Sequence, residues 1–351
     1  MVDMVKPATI RDVAGRAGVS VASVSRVLTG AGQVTEATRA RVMESVEALS
    51  YVPHSGARSL STSKTNSVGV ILPDLFGEFF SELIRGLDLA ARHAGYHLIV
   101  SSSHDHAEEA AAAIRSMRGR VDGLIVLSPH LDAEKLAGSL AGGLPVLLMN
   151  GGAVDAKRPS IVVDNHGGAV AAVQHLIAQG RTRVVHIGGP LHNAEAQARL
   201  AGYEKAMRDA GLKPVSVQGD FTQAAGHAAC LDLLSGPSRP DGVFAANDMM
   251  AVGALLALQD RGVRCPEDVA VVGFDDVPIA ALMRPSLTTM RISIAETGRR
   301  ALERLVGMID GPDRTDASRE VVTPELVVRQ SSSTVVLKPS GGSRPEPVLA
   351  S

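Results

Sequence analysis

Two short helices joined by a tight turn are predicted by the stretch Thr9-Ile-Arg-Asp-Val-Ala-Gly-Arg-Ala-Gly-Val-Ser-Val-Ala-Ser-Val-Ser-Arg-Val-Leu28. Thr9 and Asp12 have the spacing of a capping box, in which each side chain accepts a hydrogen bond from the other residue's backbone N–H. Gly18 can adopt the left-handed conformation that ends a helix, and Ser20 is suited to begin a second one. The apolar positions recur at helical spacing: Ile10, Val13, Ala14 and Ala17 in the first helix, and Val21, Val24, Val27 and Leu28 in the second. Helix, turn and helix form the arrangement in which the second helix enters the major groove of DNA.

The polar side of this motif favours DNA over the alternative of a helical hairpin that binds nothing. Ser23, Ser25 and Arg26 fall opposite the apolar positions of the second helix, and Arg11 and Arg16 lie on the first. Small side chains let a helix approach the duplex closely, and Ser and Arg reach phosphates or base edges. The charge agrees, since residues 1–66 carry eight Lys and Arg against five Asp and Glu, a net +3 within a chain of net charge −2. A basic head on an acidic body is typical of a small DNA-binding module attached to a domain with another task.

A third helix, over residues 35–49, is predicted to complete a three-helix head. Its inner face would hold Val42, Val46 and Leu49, and Pro53 disfavours its continuation. Residues 54–66 are rich in Ser and Thr and predict a linker. Within it, Ala57-Arg-Ser-Leu60 has helix-forming residues and one large apolar side chain, yet so short a helix is unstable alone. It is expected to fold only against a partner, such as a second copy of itself and DNA.

The remaining chain predicts parallel sheets covered by helices. Short apolar runs occur at residues 68–72, 97–100, 123–127, 145–149, 161–163, 184–187, 243–245 and 269–274. Amphipathic helices are predicted at residues 80–94, 107–118, 132–141, 167–179, 197–210, 223–234, 249–261 and 295–309. This alternation is typical of α/β folds, either one barrel or two doubly wound lobes, and the break near residues 163–168 favours two lobes. From Ser331 onward, glycines and prolines predict a disordered tail.

Length and composition set the class of protein. With 351 residues, 45% of them apolar, the chain is long enough for two or three domains with sizeable cores. Its two cysteines, Cys230 and Cys265, are too few for a disulfide framework. The sequence has no N-terminal signal and no apolar run long enough for a membrane span. We therefore expect a cytoplasmic protein.

A ligand site is predicted where the strands end, because open parallel sheets bind ligands beyond the carboxyl ends of their strands. The segments at those ends are rich in Asn, Asp and His, which hydrogen-bond to a polar, uncharged ligand: residues 73–80, 128–130, 150, 164–165, 188–193, 247–248 and 275–276. Most of the six phenylalanines lie in or near them: Phe76, Phe79, Phe80, Phe221 and Phe274. These rings are expected to line a pocket, and the alternative for each is ordinary core packing.

No catalytic, metal or cofactor site is predicted. His104 and His106 resemble metal ligands, but no third ligand lies nearby. Gly188-Gly-Pro190 lacks the Lys-Ser or Lys-Thr that a phosphate loop requires. Asp275 and Asp276 suggest paired carboxylates for hydrolysis, but no nucleophile or acid lies at a recognisable spacing. We therefore expect a protein that is not an enzyme.

Taken together, the motifs resemble the LacI/GalR family of bacterial transcription regulators over roughly residues 8–333. The most specific match is residues 9–28, quoted above. Further matches, in order, are Thr38-Arg39, Tyr51-Val-Pro53, Ala57-Arg-Ser-Leu60, Val121-Asp-Gly123, Arg199-Leu-Ala-Gly202, Ala246-Asn-Asp248, Gly273-Phe-Asp-Asp276 and Pro285-Ser-Leu-Thr-Thr289. The resemblance implies a homodimer in which each chain has a DNA-binding head, a hinge helix and a two-lobed body like a periplasmic sugar-binding protein.

The family's layout implies the domain boundaries. The helix-turn-helix head would cover residues 1–53, the hinge 54–66, the effector-binding and dimerisation domain 67–333, and a disordered tail 334–351. The N-terminal lobe would comprise residues 67–163 and 294–322, and the C-terminal lobe residues 164–293 and 323–333. The leucine heptads that make some members tetramers are absent, since residues 331–351 contain only two Leu, so a dimer is expected.

The family's DNA contacts map onto eight residues of this chain: Thr9, Val21, Ala22, Ser23, Ser25, Arg26, Ala57 and Leu60. In the family, the first two residues of the recognition helix read bases, and the hinge leucine, here Leu60, wedges into the minor groove at the operator centre. A wedge agrees with a linker that carries one large apolar side chain. Val21 and Ala22 can contact thymine methyl groups but donate no hydrogen bonds. A dimer implies a near-palindromic operator.

The family's effector contacts map onto ten residues: Asp74, Phe79, Phe80, Asn150, Asp164, Glu195, Arg199, Phe221, Asn247 and Asp275. The three phenylalanines would form stacking walls, and the polar side chains would bind the ligand's hydroxyl groups. Glu195 lies with His192 in the loop that varies most with the ligand. For Arg199 the alternative is a surface arginine on a helix.

The resemblance therefore implies a transcription regulator, a repressor, whose operator affinity depends on a small carbohydrate-like effector bound between two lobes. Closure of the lobes on the effector would change the spacing of the two hinge segments. Two alternatives remain: a sugar-binding protein without a DNA function, and an enzyme on the same scaffold. The helix-turn-helix argues against the first, and the missing catalytic constellation argues against the second.

Overall fold

The computed structural model describes residues 8–30, 33–52, 64–104, 106–127, 143–149, 158–311 and 318–333. They form two compact units, and the chain passes from the first to the second between Asn66 and Ser67. Several predictions fall outside the described residues: the hinge contacts Ala57 and Leu60, the helix over 132–141, the ligand contact Asn150, and the tail over 334–351.

The first unit is the helical head, and each of its helices begins at a capping side chain. It contains α1 (Ile10–Ala17), α2 (Val21–Thr29) and α3 (Glu36–Ala48). The side chains of Thr9, Ser20 and Thr35 each accept a hydrogen bond from a backbone N–H in the first turn that follows. The predicted capping box is confirmed: Thr9 N donates to Asp12 Oδ2 (2.8 Å), and Asp12 N donates to Thr9 Oγ1 (3.4 Å). Gly18 ends α1 with a φ of 62°, the left-handed cap that its lack of a side chain favours.

A small apolar core holds the three helices together. Val13, Val24 and Val42, one from each helix, are completely buried, and Tyr51 packs beside them after α3 ends. Val21 does not join this core, because it is 41% exposed while Val24 faces inward. The prediction that Val21 belongs to the apolar face of α2 is therefore wrong, and its side chain is available to a partner.

The second unit alternates strands and helices, as predicted. Its elements in chain order are β1 (Ser67–Leu72), α4 (Glu78–His93), β2 (His97–Ser102), α5 (Ala107–Met117), β3 (Gly123–Leu127), β4 (Val146–Met149), β5 (Ser160–Val163), α6 (Asn165–Ala178), β6 (Val184–Gly188), α7 (Ala194–Asp209), β7 (Val215–Gln218), α8 (Gln223–Ser235), β8 (Gly242–Ala245), α9 (Asp248–Asp260), β9 (Ala270–Val272), α10 (Pro278–Leu282), β10 (Thr289–Arg291), α11 (Ile294–Asp310), β11 (Arg319–Val322) and β12 (Glu325–Val327).

The strands form two separate parallel sheets, which excludes the barrel. One sheet has six described strands in the order β11-β5-β4-β3-β1-β2, and the other has four in the order β7-β6-β8-β9. We call the six-stranded sheet with α4, α5 and α11 lobe 1, and the four-stranded sheet with α6–α9 lobe 2. Glycines bring helices together in both. A Cβ on Gly86 of α4 would lie 1.9 Å from the carbonyl oxygen of Ala295 in α11, and a Cβ on Gly253 of α9 would lie 2.1 Å from that of Gln223 in α8.

The chain passes between the two lobes three times. It leaves lobe 1 between β5 and α6, returns between β10 and α11, and leaves again between β11 and β12. β10 and β12 pair antiparallel, with Thr289 opposite Val327. Asp164 N, at the first passage, donates to Val322 O at the third (2.9 Å). The three passages are therefore hydrogen-bonded into one connecting region.

Some predicted boundaries need correction. α6 and α7 begin two and three residues earlier than predicted, because the side chains of Asp164 and Asn193 cap them. β7, β10, β11, β12 and the short helix α10 were not predicted at all. The tail does not begin at Ser331: Ser331 and Ser332 are buried, and Ser331 Oγ donates to Val271 O (2.6 Å).

Among the residues that the structure describes, no helix is both long enough and apolar enough to cross a membrane.

Candidate functional site

A cavity of about 780 Å³ is lined by the carboxyl ends of strands from both lobes. Eight of the ten predicted effector residues line it: Asp74, Phe79, Phe80, Glu195, Arg199, Phe221, Asn247 and Asp275. Asn150 lies outside the described residues. Asp164 is not among the lining residues, since its carboxylate accepts a hydrogen bond from Gly167 N (2.8 Å) and caps α6. His192 is exposed and does not line the cavity either.

Arg199, on α7, is the buried cation of this cavity. Its side chain is 5% exposed, which excludes the alternative of a surface arginine. Nε donates to Asn165 Oδ1 (2.7 Å), and Nη1 donates to the carbonyl oxygen of Ala246. The guanidinium carbon lies 3.9 Å from the centre of the Phe274 ring, a cation–π contact. Nη2 lies 3.4 Å from Asp275 Oδ1, so one planar group fixes four neighbours in place.

Asp275 follows β9 and is buried beside Arg199. Its backbone has a φ of 112°, an unfavourable value for a residue with a side chain, and its N–H donates to Met290 O (2.8 Å). Burial raises the pKa of Asp275 to about 7, and the Arg199 guanidinium opposes this rise. Asp275 Oδ1 accepts no hydrogen bond. This oxygen is paired with Arg199 as an ion pair without a hydrogen bond, so it can accept one from a ligand that donates.

Glu195 supplies a second carboxylate in the first turn of α7. Burial raises its pKa, with Arg199 and a hydrogen bond from Asn165 acting in the opposite direction. Glu195 Oε1 is buried and has no hydrogen-bond partner. With Asp275 and Arg199 it gives two carboxylates against one guanidinium, so hydroxyl or amino groups are favoured here over a phosphate.

Aromatic rings form the other walls. Phe79 and Phe80, at the start of α4, are half-buried and meet edge to face at 5.3 Å between ring centres. Phe221 has a φ of 71°, and its carbonyl oxygen accepts from Asn247 Nδ2 (3.0 Å). Asn247 also caps α9 and lines the cavity. One side chain therefore holds Phe221 in place and contributes to the cavity wall. Phe274 is completely buried in the core, where its ring packs against Arg199. The prediction that Phe274 lines the pocket is therefore wrong.

Asp276 was not predicted to have a role of its own, and the structure ties it to the connecting region. Asp276 Oδ2 lies 2.6 Å from Arg291 Nε on β10, and Oδ1 lies 2.7 Å from Arg329 Nη2 after β12. Its neighbour in sequence, Asp275, faces the cavity. The two aspartates therefore serve different partners and do not form a hydrolytic pair.

The head presents a second candidate site along α2. Val21, Ala22, Arg26 and Thr9 are exposed, and Ser23 and Ser25 are half-buried. Ser23 Oγ lies 3.0 Å from Ser20 Oγ, so this hydroxyl is held near the first turn of α2. Helix N-termini and small polar side chains at this position suit contacts with DNA phosphates and base edges.

Clusters of metal-ligating side chains are the remaining class of candidate site. Among the described residues, no group of three or more His, Cys, Asp or Glu side chains is close enough to hold an ion. His104 and His106 are both exposed.

Comparison with known proteins identifies the family to which the chain belongs. Residues 9–54 match the family described as bacterial regulatory proteins, lacI family, and residues 173–332 match the periplasmic binding protein-like domain. The ribose operon repressor of Escherichia coli K12 is 35% identical over 331 residues, which are 93% of this chain and 100% of that protein. The crystal structure of the Lac repressor dimer bound to operator and the anti-inducer ONPF superimposes with a TM-score of 0.83 at 29% identity, covering 93% of this chain and 99% of the other. A complex of the transcriptional regulator CelR with cellobiose gives a TM-score of 0.69 at 33% identity over 92% of this chain and 99% of the other. This chain belongs to the lacI family of bacterial regulatory proteins.

Proposed function

We propose that this chain is a homodimeric transcriptional repressor that binds a near-palindromic operator. A small sugar or sugar derivative, bound between lobes 1 and 2, would control its affinity for that operator. Residues 1–53 would bind DNA, residues 54–66 would form the hinge, and residues 67–333 would bind the effector and form the dimer. The proposal is for a binding protein without turnover that acts in the cytoplasm, where the DNA is.

The observation that carries the effector assignment is the pair of buried carboxylate oxygens near Arg199 that accept no hydrogen bond. Asp275 Oδ1 and Glu195 Oε1 are buried without hydrogen-bond partners in a cavity that half-buried phenylalanines flank. Leaving buried acceptors unsatisfied is costly unless a ligand satisfies them. Sugar hydroxyl groups donate to such oxygens, while the apolar face of a sugar ring packs on aromatic rings. The solved CelR complex holds cellobiose, a ligand of this chemistry.

The head supports the DNA assignment by its exposed surface. Val21 and Ala22 offer methyl groups to thymine, and Arg26 lies on the same exposed side. Two apolar contacts give little hydrogen-bonded specificity, so the second copy and the hinge are expected to supply much of the affinity. Effector binding changes that affinity only by the difference in its affinity for the two forms of the dimer.

The effector is tested by a thermal-shift screen of neutral sugars, amino sugars and sugar phosphates, including ribose and cellobiose. The expected result is stabilisation of the full chain by a neutral sugar, and loss of the shift in Asp275→Asn. Asp268→Asn is the matched control, because Asp268 pairs with Arg264 on the surface. Stabilisation that survives in Asp275→Asn places the ligand elsewhere and refutes the assignment. Conversion of a bound sugar to product would favour the enzyme alternative.

The DNA function is tested with operators selected from random duplexes by the full chain. Arg26→Ala is expected to weaken binding and to reduce the slope of log affinity against log salt by about 1 if Arg26 contacts a phosphate. Arg92→Ala removes an exposed arginine from the end of α4 and is the matched control. Adding the effector found in the screen then gives the direction of control. Failure to select any duplex would favour the sugar-binding alternative.

A further inference from the structure

One hydrogen bond joins the two lobes at the edge of the cavity. Ile279 N, in α10, donates to Glu78 Oε2, in the first turn of α4 (2.9 Å). The two residues are 201 positions apart in the sequence. Glu78 lines the cavity, and α10 begins three residues after Asp275, which also lines it.

Glu78 caps the N-terminus of α10, as the residue just before a helix usually does. The residue before α10 is Val277, which has no acceptor in its side chain, and Pro278 has no N–H. Ile279 N is therefore the first amide of α10 that needs an acceptor, and the carboxylate of the other lobe provides it. Charged acceptors at a helix N-terminus make stronger hydrogen bonds than neutral ones.

Each end of the bond is anchored in its own lobe. Val277 N donates to Asp248 Oδ2 (2.9 Å), which fixes the start of α10 to α9 in lobe 2. α4 packs backbone to backbone against α11 through Gly86 in lobe 1. A movement of one lobe away from the other must therefore break the bond or bend a packed helix.

We infer that Glu78 is a positioning residue for the cavity: by capping α10 across the lobes, it sets the spacing between the Phe79–Phe80 wall and Asp275 in the unliganded chain. Phe79 and Phe80 follow Glu78 directly in α4, so the same turn carries the wall and the cap. The inference rests on the proposed function only in treating this cavity as the effector site.

The spacing between lobes 1 and 2 is tested in the full-length chain without any effector. It is read as the distance between two spin labels, one on each lobe. Glu109→Cys on α5 and Lys205→Cys on α7 place the labels at exposed positions. Burial raises the pKa of Cys230 and of Cys265 to about 12, which slows their labelling because thiols react as thiolates. The chain without added cysteines, carried through the same labelling, measures the remaining background. An excess of unlabelled chain ensures that each dimer carries at most one labelled copy.

Three substitutions distinguish the loss of the Glu78–Ile279 hydrogen bond from a general destabilisation of α4. Glu78→Ala removes the acceptor and is expected to raise the population of wider distances roughly tenfold, the loss of one charge-assisted hydrogen bond. Glu78→Gln keeps an acceptor of the same reach and should restore most of the wild-type distribution. Glu82→Ala, one turn later, removes only the pair with Arg85 within α4 and should leave the distribution unchanged.

A Glu78→Ala distribution that superimposes on the wild type would overturn the inference, as would an equal widening in Glu82→Ala. If Glu78→Ala gives no folded protein, Glu78→Asp tests the same bond, since its carboxylate is one methylene too short, and an unchanged distribution again overturns the inference. Because no ligand is added, the result is independent of whether the screen finds an effector.

Discussion

The two lobes share one architecture but differ in what they bury. Among the described residues, lobe 2 and the connecting segments that pack on it bury ten polar or charged side chains: Asn165, His186, Asn193, Arg199, Asp248, Asp275, Thr288, Thr289, Ser331 and Ser332. The core of lobe 1 is almost wholly apolar, with Ser103 and Thr297 as its buried polar side chains. Buried polar groups lower stability unless they are paired. Three of those in lobe 2, Asn193, Arg199 and Asp275, line the cavity.

This difference assigns the two walls of the cavity different tasks. Lobe 2 presents charges that are already held in position, as Arg199 is by Asn165 and Ala246. Lobe 1 presents Phe79 and Phe80, which need no such network. Recognition is therefore expected to start on lobe 2, and lobe 1 then covers the ligand. Four predictions test this contrast, in order of decreasing effect.

Removal of the buried cation should have the largest effect. Arg199→Ala leaves Asp275 and Glu195 without their cation, and is expected to lower the free energy of unfolding by about 3–5 kcal/mol. Urea unfolding followed by circular dichroism measures it, since the chain has no Trp. Arg208→Ala, an exposed position on the same helix, should change it by no more than about 0.5 kcal/mol. Equal losses in the free energy of unfolding in both variants would contradict the role of Arg199 in stabilising lobe 2.

Substitution of Asp275 should remove a loss of stability that the wild type undergoes as the pH rises. Its folded pKa of about 7 lies above the ordinary value of 3.8, so the folded state keeps a proton that the unfolded state releases, and the wild type loses stability as pH rises to 7. Asp275→Asn should therefore gain about 3 kcal/mol relative to wild type between pH 5 and pH 8. Asp268→Asn should show no such gain, because Arg264 lowers the pKa of Asp268. A pH-independent difference in Asp275→Asn would contradict the burial argument.

Substitution of His186 should act at acid pH. This side chain is completely buried between Tyr203 and Phe244, and burial lowers its pKa to about 4. The unfolded state binds a proton below about pH 6.5 that the folded state rejects, so the wild type loses about 2 kcal/mol from this group between pH 8 and pH 5. His186→Phe should lose that acid sensitivity, at the cost of the hydrogen bond to Phe244 O. His97→Gln, at an exposed strand position, should keep the wild-type slope. An unchanged slope in His186→Phe would place the acid sensitivity elsewhere.

Truncation of the lobe 1 wall should cost the least stability. Phe80→Ala is expected to lower the free energy of unfolding by only about 1 kcal/mol, because the ring is half-buried, while effector affinity falls roughly tenfold. Phe76→Ala, at a ring that is 79% exposed, is the control for the stability measurement only, because Phe76 also lines the cavity. Asp268→Asn, at a surface pair outside the cavity, is the control for affinity. A stability loss as large as that of Arg199→Ala would show that lobe 1 depends on its cavity wall as lobe 2 does.

The sequence predicted elements whose residues are buried on a regular period, and missed those that are not. β3 and β4 are fully buried apolar runs and were predicted within one residue. β7 is mostly exposed at the edge of its sheet, so it has no apolar run to detect. β10 and β12 have three residues each, which is too few to show a periodic pattern in the sequence. α10 lacks a capping residue of its own in the sequence because its cap comes from Glu78.

The candidate site divides in the same way. Residues in family motifs, such as Arg199 and Asp275, could be placed from the sequence, and the structure brings them into one cavity. Asn165, which orients Arg199, and Asp276, which holds Arg291 and Arg329, could be noted only as polar residues at strand ends. Their partners lie on other segments, so their roles depend on contacts that no local pattern encodes.

The three passages of the chain between lobes have a consequence for biosynthesis. Every described strand of the four-stranded sheet comes from residues 184–272, so lobe 2 can assemble its sheet from one continuous piece as it leaves the ribosome. The six-stranded sheet begins earlier, at β1, but its edge strand β11 is made only at residues 319–322. Lobe 1, although translated first, therefore cannot complete its sheet until residues 319–322 are made, and β5 exposes an unpaired edge in the meantime. The four-stranded sheet of lobe 2 is therefore expected to be complete before the six-stranded sheet of lobe 1.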